Sequence, residues 1–287
     1  MANLVPTKPS ISLSISVVCY NSPPDEVKQL LESLLNAILY LGQSQTLSVT
    51  PIYLVDNSDQ TPLSLDIFAE FGALCTELKV DLRHLHGQGN VGYGQAHNLV
   101  LERLDSDYHL ILNPDVVLEE AALLEAISFI NYKRGIVMLS PNAKDSSGTK
   151  QYLCKRYPSV FTLLVRGFFP EFLRSLFRKR LARYEMHELD EKEVSEDIPL
   201  VSGCFMFVRT EALKEVGGFD EFYFLYFEDF DLSIRIGKLG KIAYAPNVRI
   251  VHHGGNAAKK GFRHLKMFIQ SGIRFFNKHG WQLFKQS

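Results

Sequence analysis

The first 118 residues alternate short runs rich in β-branched residues with runs whose apolar positions recur at helical spacing. "SLSISVVCY" (12–20) reads as a strand, and "DEVKQLLESLLNAILYL" (25–41) as an amphipathic helix entered through the "NSPPD" stretch. "TPIYLVDNSD" (50–59) is a second strand ending in the polar cluster Asp56-Asn57-Ser58, and "LKVDLRHLH" (78–86) a third. A glycine-rich stretch and the helix "GQAHNLVLERL" (94–104) follow; "YHLILNPDVVL" (108–118) is then a fourth strand that stops at Asn113-Pro114-Asp115. This alternation predicts an α/β fold, a mostly parallel central sheet flanked by helices in a three-layer arrangement. Such sheets bind ligands beyond the carboxyl ends of their strands. Asp56, the loop 87–94 and Asp115 all fall at those ends.

The second half is less regular. "EEAALLEAISFINY" (119–132) reads as a helix and "GIVMLSPNA" (135–143) as a strand. Residues 155–183 mix Lys and Arg with Phe and Leu around a single acid, Glu171, and the balance turns acidic from Glu185 to Asp197. "PLVSGCFMFVR" (199–209) resumes the core as a buried strand, followed by a short helix ended by glycines, "TEALKEVGGF" (210–219). A helix with carboxylates at its start (227–240), a last strand (241–255) and a C-terminal helix (261–280) complete the chain. No repeat or low-complexity linker divides the 287 residues, which predicts one domain with an inserted surface element at 155–197.

Composition excludes several classes. A formal charge of −1 leaves no whole-chain excess for nucleic acid to recognise. The four cysteines stand far apart, which reads as reduced thiols in a cytoplasmic protein. The amino terminus lacks the charged and apolar regions of a signal peptide, and no stretch reaches the roughly 20 apolar residues of a membrane span.

Four constellations carry candidate chemistry. "GQGNVGYG" (87–94) spells G-x-G-x-x-G, the dinucleotide fingerprint, and opens a Rossmann oxidoreductase as one reading. The preceding "VDLRHLH" is too polar for that fold's buried first strand. Asp115, at a strand exit, is placed where a divalent cation could join it to a diphosphate, although Asn-Pro-Asp is also an ordinary turn. Glu228 and Asp229 stand in the aromatic stretch "FDEFYFLYFEDFDL" (219–232), where carboxylates are costly without a partner or a task. Their place at a helix start also suits the helix dipole. Asp231 and Arg235 are spaced for an ion pair, which leaves Glu228 or Asp229 as the candidate general base. His252 and His253 follow the last strand and are structural residues or metal ligands.

Taken together, "SVVCYN", "VDNSD", "GNVGYGQAHN", "LNPDV", "SGCFMFVR", "VGGFDEFYFLYFEDFDLSIR" and "VHHGGN" resemble family 2 glycosyltransferases, in the same order and from about Ser14 to Arg274. The nearest resemblance is to the rhamnosyltransferase branch of O-antigen type. It implies the GT-A fold, with a nucleotide-sugar-binding half at about 11–118 and an acceptor and membrane-proximal half at about 119–287. It implies inverting transfer of a deoxyhexose, L-rhamnose from dTDP-rhamnose, onto a polyprenyl-diphosphate-linked sugar in surface polysaccharide (O-antigen, lipopolysaccharide) synthesis. The resemblance assigns the nucleobase to Asp56, with Tyr20 and Asn21 beside it. Gly89, Asn90, Gly92, Asn98 and Asn113 join the nucleotide-sugar site. Mg²⁺ or Mn²⁺ falls to Asp115 and His252, with His253 as the alternative ligand. "NPD" stands where many relatives have D-x-D, which leaves Asp115 as that motif's one carboxylate. Asp229 becomes the catalytic base, and Glu228 a holder of the acceptor hydroxyl.

Such a base removes a proton from the acceptor hydroxyl as it attacks the anomeric carbon, while a cation stabilises the departing diphosphate. The basic, Phe-rich segment and the C-terminal helix are expected to touch anionic membrane at its cytoplasmic face, the alternative being a helical excursion with snorkelling stems. A homodimer is carried as a further partner, with oligomeric state open. A third reading is a non-catalytic, membrane-associated GT-A-like protein.

Overall fold

The computed structural model describes residues 10–59, 62–64, 66–254 and 261–285. The start of the amino-terminal stretch (1–9), and Gly255 and Asn256 of "VHHGGN", lie outside the described residues.

The chain runs β1 (Leu13–Cys19), α1 (Pro24–Ser44), β2 (Thr50–Asp56), α2 (Asp66–Glu77), β3 (Val80–Leu85), α3 (Tyr93–Asn98), β4 (Tyr108–Leu112), β5 (Val116–Leu118), α4 (Ala122–Tyr132) and β6 (Ile136–Lys144). Then come β7 (Lys150–Gln151), β8 (Cys154–Lys155), α5 (Val160–Phe168), α6 (Glu171–Arg174), α7 (Arg178–Tyr184), β9 (Ser195–Glu196), β10 (Leu200–Val201) and β11 (Phe205–Arg209). The chain continues through α8 (Thr210–Glu215), α9 (Glu228–Ile236), β12 (Lys241–His252) and α10 (Phe262–His279).

Strand β1 is buried along its whole length. Leu13, Ile15, Val17 and Cys19 enter the core that also receives Val27, Leu30, Leu34 and Leu41 of α1. On its other face Ser14 and Ser16 bond the two ring nitrogens of His109, each at 2.8 Å, so the serines of "SLSIS" are satisfied under cover. Helix α1 begins on Pro24 with Asp25 and Glu26 in its first turn, both favourable at a helix start.

The main sheet has the order β3-β2-β1-β4-β11-β6-β12-β5. Neighbours β3-β2, β2-β1, β1-β4 and β6-β12 are parallel. Strand β11 is antiparallel to both β4 and β6, so β4 and β6 share a direction, and β5 is antiparallel to β12. The sheet is therefore mostly parallel, with reversals at β11 and at the β5 edge. The glycine loop follows β3, the outermost strand of the parallel half, whereas a dinucleotide fold places it after the first, central strand.

Two expected strands are each broken in two. "YHLILNPDVVL" ends as β4 at Leu112, turns through Asn113–Asp115, and re-enters as β5 against β12. "PLVSGCFMFVR" divides into β10 and β11, separated by Ser202-Gly203-Cys204. The expected helix at 94–104 is only α3 plus a 3-10 turn at Leu101–Arg103. The basic segment forms β8 and the short helices α5, α6 and α7. Its apolar side joins a third cluster, Leu163, Tyr184, Tyr223, Phe227, Phe275 and Phe276, that fastens α5 and α7 to α10. All four cysteines are buried free thiols.

Candidate active site

Helix α9 is entered through two consecutive left-handed residues, Tyr226 (φ 71°) and Phe227 (φ 65°). Bulky side chains adopt that conformation only when their surroundings hold them in it. Phe227 is pinned by Phe268 and Phe275 at ring distances of 5.1 and 5.3 Å, and the Tyr226 hydroxyl bonds His264 Nδ1 at 2.9 Å. The sharp entry delivers Glu228 and Asp229 into the interior. Asp229 Oδ2 accepts from the Gly203 N–H at 3.0 Å and Oδ1 from the Phe230 N–H at 2.9 Å. Glu228 Oε2 is buried with no hydrogen-bond partner among the described residues.

Burial pushes the Asp229 carboxyl up to about 6, against the pull of the Gly203 and Phe230 N–H groups. Burial, and then the charge of Asp229, hold Glu228 well above the usual carboxylate range. The pair faces a cavity of about 210 Å³ whose wall also includes Lys155, Arg166, Ser202 and Tyr226.

Asp115 lies in the turn between β4 and β5. Its Oδ2 stands 3.5 Å from His252 Nε2, and its carbonyl accepts from the His253 N–H at 3.0 Å. Gln151 fixes the His252 ring. The Gln151 amide nitrogen donates to the His252 carbonyl at 2.8 Å, which turns Oε1 toward His252 Nδ1 at 2.6 Å. Nδ1 therefore donates to Gln151, and Nε2 is the ring nitrogen turned toward Asp115. His253 points elsewhere, its Nδ1 bonding Ser146 Oγ at 2.7 Å. Among the described residues no group of three or more His, Cys, Asp or Glu is arranged to hold a metal ion.

Tyr93 and Cys204 connect the two carboxylate regions. The Tyr93 hydroxyl donates to the Gly203 carbonyl at 2.6 Å, on the residue whose N–H holds Asp229. Burial raises Tyr93 well above its ordinary value, and Cys204, Glu228, Asp229 and Asp115 add to the shift. Burial pushes the Cys204 thiol up to about 12, with both Asp115 and Asp229 contributing. One phenol and one thiol thus lie in the field of Asp115 and Asp229 together.

A second cavity, of about 170 Å³, is lined by Tyr20, Asn57, Asn90, Gly92, Tyr93, Phe224 and Arg263, among others. Gly92 has φ 93°, and a Cβ there would stand 2.5 Å from the Phe224 carbonyl, so only glycine fits. Asn90 shapes the loop: its Oδ1 accepts from the Gly92 N–H at 3.1 Å, and its own N–H donates to Asp59 at 3.0 Å. Gly89 (φ 68°) belongs to the same turn, and so does Gly87 (φ 94°), which a frame starting at Gly89 leaves out.

The remaining expected residues are not among those that line this cavity. Asp56 is buried at the end of β2, its two oxygens accepting from the Ser58 and Leu63 N–H groups at 3.0 and 2.7 Å. The left-handed Asn21 donates its N–H to Ser58 Oγ at 2.9 Å. The Asn113 N–H donates to the Cys204 carbonyl at 2.9 Å. Asn98 is not brought to the site: its amide is spent on Phe219 and Glu221, tying α3 to the 218–221 turn. Sequence reasoning missed Gln151, Tyr93, Lys155 and Arg263. The tyrosine inside "GNVGYGQAHN" was the one with a visible signal.

The model of glycosyl transferase family 2 matches residues 14–217, and the chain belongs to that family. Among curated relatives it is 31% identical over 190 residues to the N-acetylglucosaminyl-diphospho-decaprenol L-rhamnosyltransferase of Mycobacterium tuberculosis (strain ATCC 25618 / H37Rv). That match covers 60% of this chain and 59% of the relative, so the chain spans about three fifths of that protein's length. It is 27% identical over 192 residues to the rhamnosyltransferase WbbL of Escherichia coli (strain K12), covering 62% of this chain and 69% of WbbL. Among solved structures, GalNAc-T7 with UDP, GalNAc and Mn²⁺ superposes with a TM-score of 0.61 at 14% identity, over 93% of this chain and 48% of that one. The likeness establishes the GT-A fold.

Proposed function

We propose that the chain is an inverting glycosyltransferase that moves a deoxyhexose, L-rhamnose from dTDP-rhamnose, onto a polyprenyl-diphosphate-linked sugar in surface polysaccharide (O-antigen) synthesis. The observation that carries the reading is the Glu228–Asp229 pair. A buried carboxylate, Glu228, and a half-buried one, Asp229, both with raised affinity for protons, face a cavity, and Asp229 is aimed by the Gly203 N–H. The relatives' names supply the sugar and the lipid-linked acceptor.

Asp229 takes the proton of the acceptor hydroxyl, and Glu228, whose carboxyl burial holds well above the usual range, positions that hydroxyl. The donor occupies the cavity beside Gly92, with Tyr20, Asn21 and Asp56 toward its base and Gly89, Asn90, Asn113 and Arg263 toward the diphosphate. A divalent cation suits Asp115 and His252, because Gln151 engages Nδ1 and leaves Nε2 as the ring nitrogen beside a carboxylate. Two protein ligands leave further positions for diphosphate oxygens and water. When bound, Mg²⁺ or Mn²⁺ would neutralise charge on the leaving diphosphate. Exposed Phe168, Phe172 and Leu176 beside the basic residues of α5–α7 favour a peripheral place on anionic membrane. Among the described residues no helix is long and apolar enough to cross one.

The test is a transfer assay with a panel of nucleotide sugars and a GlcNAc-diphosphate-lipid acceptor. The expected result is transfer from dTDP-rhamnose with inverted anomeric configuration, abolished by EDTA and restored by Mg²⁺ or Mn²⁺. Absence of transfer and of donor hydrolysis across the panel would favour the non-catalytic reading that "NPD" in place of D-x-D keeps open.

A further inference from the structure

The cavity at Glu228 and Asp229 has a second depression directly beside it. Leu163, Phe227 and Phe268 line the cavity, and the same three side chains line the depression, of about 290 Å³ between α5 and α10. That groove is apolar throughout, walled by Leu164, Phe168, Ile269, Ile273, Phe276 and Trp281. Leu164, Ile273 and Trp281 remain 45–50% exposed, so it opens to the surface. Two cations stand in the wall of the first cavity. Lys155 lies 3.7 Å and Arg166 3.0 Å from Glu185, so a single carboxylate is shared between two positive charges.

We propose that this groove binds the proximal isoprenoid units of the acceptor, and that Lys155 and Arg166 receive the acceptor's diphosphate. The inference rests on the glycosyltransferase reading for the identity of the acceptor. Its physical content is a match of chemistry between acceptor and protein. An acceptor of this class presents a hydroxyl, then a sugar, then two phosphates, then hydrocarbon. The protein presents a base with Lys155 and Arg166 in the same cavity wall, and an apolar trench that shares Leu163, Phe227 and Phe268 with it. Lys155 is already largely withdrawn from water, so an arriving phosphate meets a cation whose desolvation is complete. The hydrocarbon gains by covering side chains that otherwise face solvent.

The test is direct binding, without donor, of two sugar-free probes to the full chain by calorimetry below their micellar concentrations. They are farnesyl diphosphate, with three isoprene units, and dimethylallyl diphosphate, with one. Farnesyl diphosphate is expected to bind about tenfold or more tightly. The double variant Leu164→Asn/Ile273→Asn should lose this difference between the probes, and Arg166→Gln should weaken both alike. Equal affinity of the wild type for the two probes overturns the proposal, as does a chain-length difference that survives the double variant. A double variant that changes only the oligomeric state, with chain-length discrimination intact, assigns the groove to a contact between copies and equally overturns it. Because no sugar is transferred, this result stands apart from the activity assay. Groove binding without transfer would remove the reaction and keep the site; transfer without chain-length discrimination would do the reverse.

Discussion

One helix carries two kinds of carboxylate. Asp231 is fully buried and accepts from Arg235 at 2.6 Å and His279 at 2.8 Å, with Lys278 at 2.6 Å. Burial pushes its carboxyl up, but Lys278, His279 and Arg235 outweigh that and hold it below the ordinary range. Glu228 and Asp229, on the same first turn, make no ion pair among the described residues; Lys155 only tempers Asp229, and both carboxyls are raised. The difference lies in what the neighbouring elements offer. Asp231 meets the last turn of α10 and clamps two helices together, whereas Glu228 and Asp229 meet a cavity. The first arrangement spends its charge on the fold, and the second keeps it for a ligand.

The largest expected effect follows from removing the base. Asp229→Asn keeps size and hydrogen-bonding capacity but cannot take a proton, so transfer should fall on the order of 10²–10⁴-fold. Melting temperature and donor affinity should change little. Wild-type turnover should itself decline as pH falls through about 6, where Asp229 becomes protonated. Turnover within a few-fold of wild type in the Asn variant would move the base elsewhere.

Asp231→Asn should act on the other side of the comparison. It leaves Arg235 beside a neutral amide and Lys278 with Asp220 as its remaining carboxylate, and breaking a buried ion pair costs about 3–5 kcal/mol. Because the folded carboxyl is depressed, this stability is present above its ordinary value of 3.8 and is lost as pH falls through the folded value. Denaturant titrations should therefore show a deficit that is constant near neutrality and shrinks below about pH 4. A deficit unchanged in acid would mean that packing, and not charge, joins α9 to α10.

Part of this contrast is legible in sequence. The spacing of Asp231 and Arg235 gives their ion pair, and strand ends give the places of Asp56 and Asp115. Lys278 and His279 stand 47 and 48 positions from Asp231, and no local pattern links them to it. Gln151 is hidden from His252 in the same way, 101 positions away. Lys155 belongs to a segment whose composition reads as a basic surface, yet packing of α5 and α7 buries it. The left-handed turn at Tyr226-Phe227 runs against local preference, since neither residue favours that conformation. Tertiary contacts with α10 impose it, and α10 is distant in sequence. β11 is legible as a strand, but its reversed direction between β4 and β6 depends on pairing alone.

The smallest effect is also the most diagnostic of how the pair shares its charge. Glu228 in the folded chain retains a proton that the unfolded chain releases above an ordinary value of 4.5. Raising the pH therefore favours the unfolded state, because a group with a raised folded pKa contributes stability below the unfolded value and loses it as pH rises toward the folded one. Glutamine has no proton to lose. Glu228→Gln should thus gain stability relative to wild type as pH rises above the ordinary carboxylate range. The gain should vanish well below the ordinary value of 4.5, where folded and unfolded wild type are both protonated at this position. Melting curves of the two proteins across that range measure the slope. A gain independent of pH would show that Glu228 ionises normally in the folded chain, and the contrast with Asp231 would then rest on Asp229 alone.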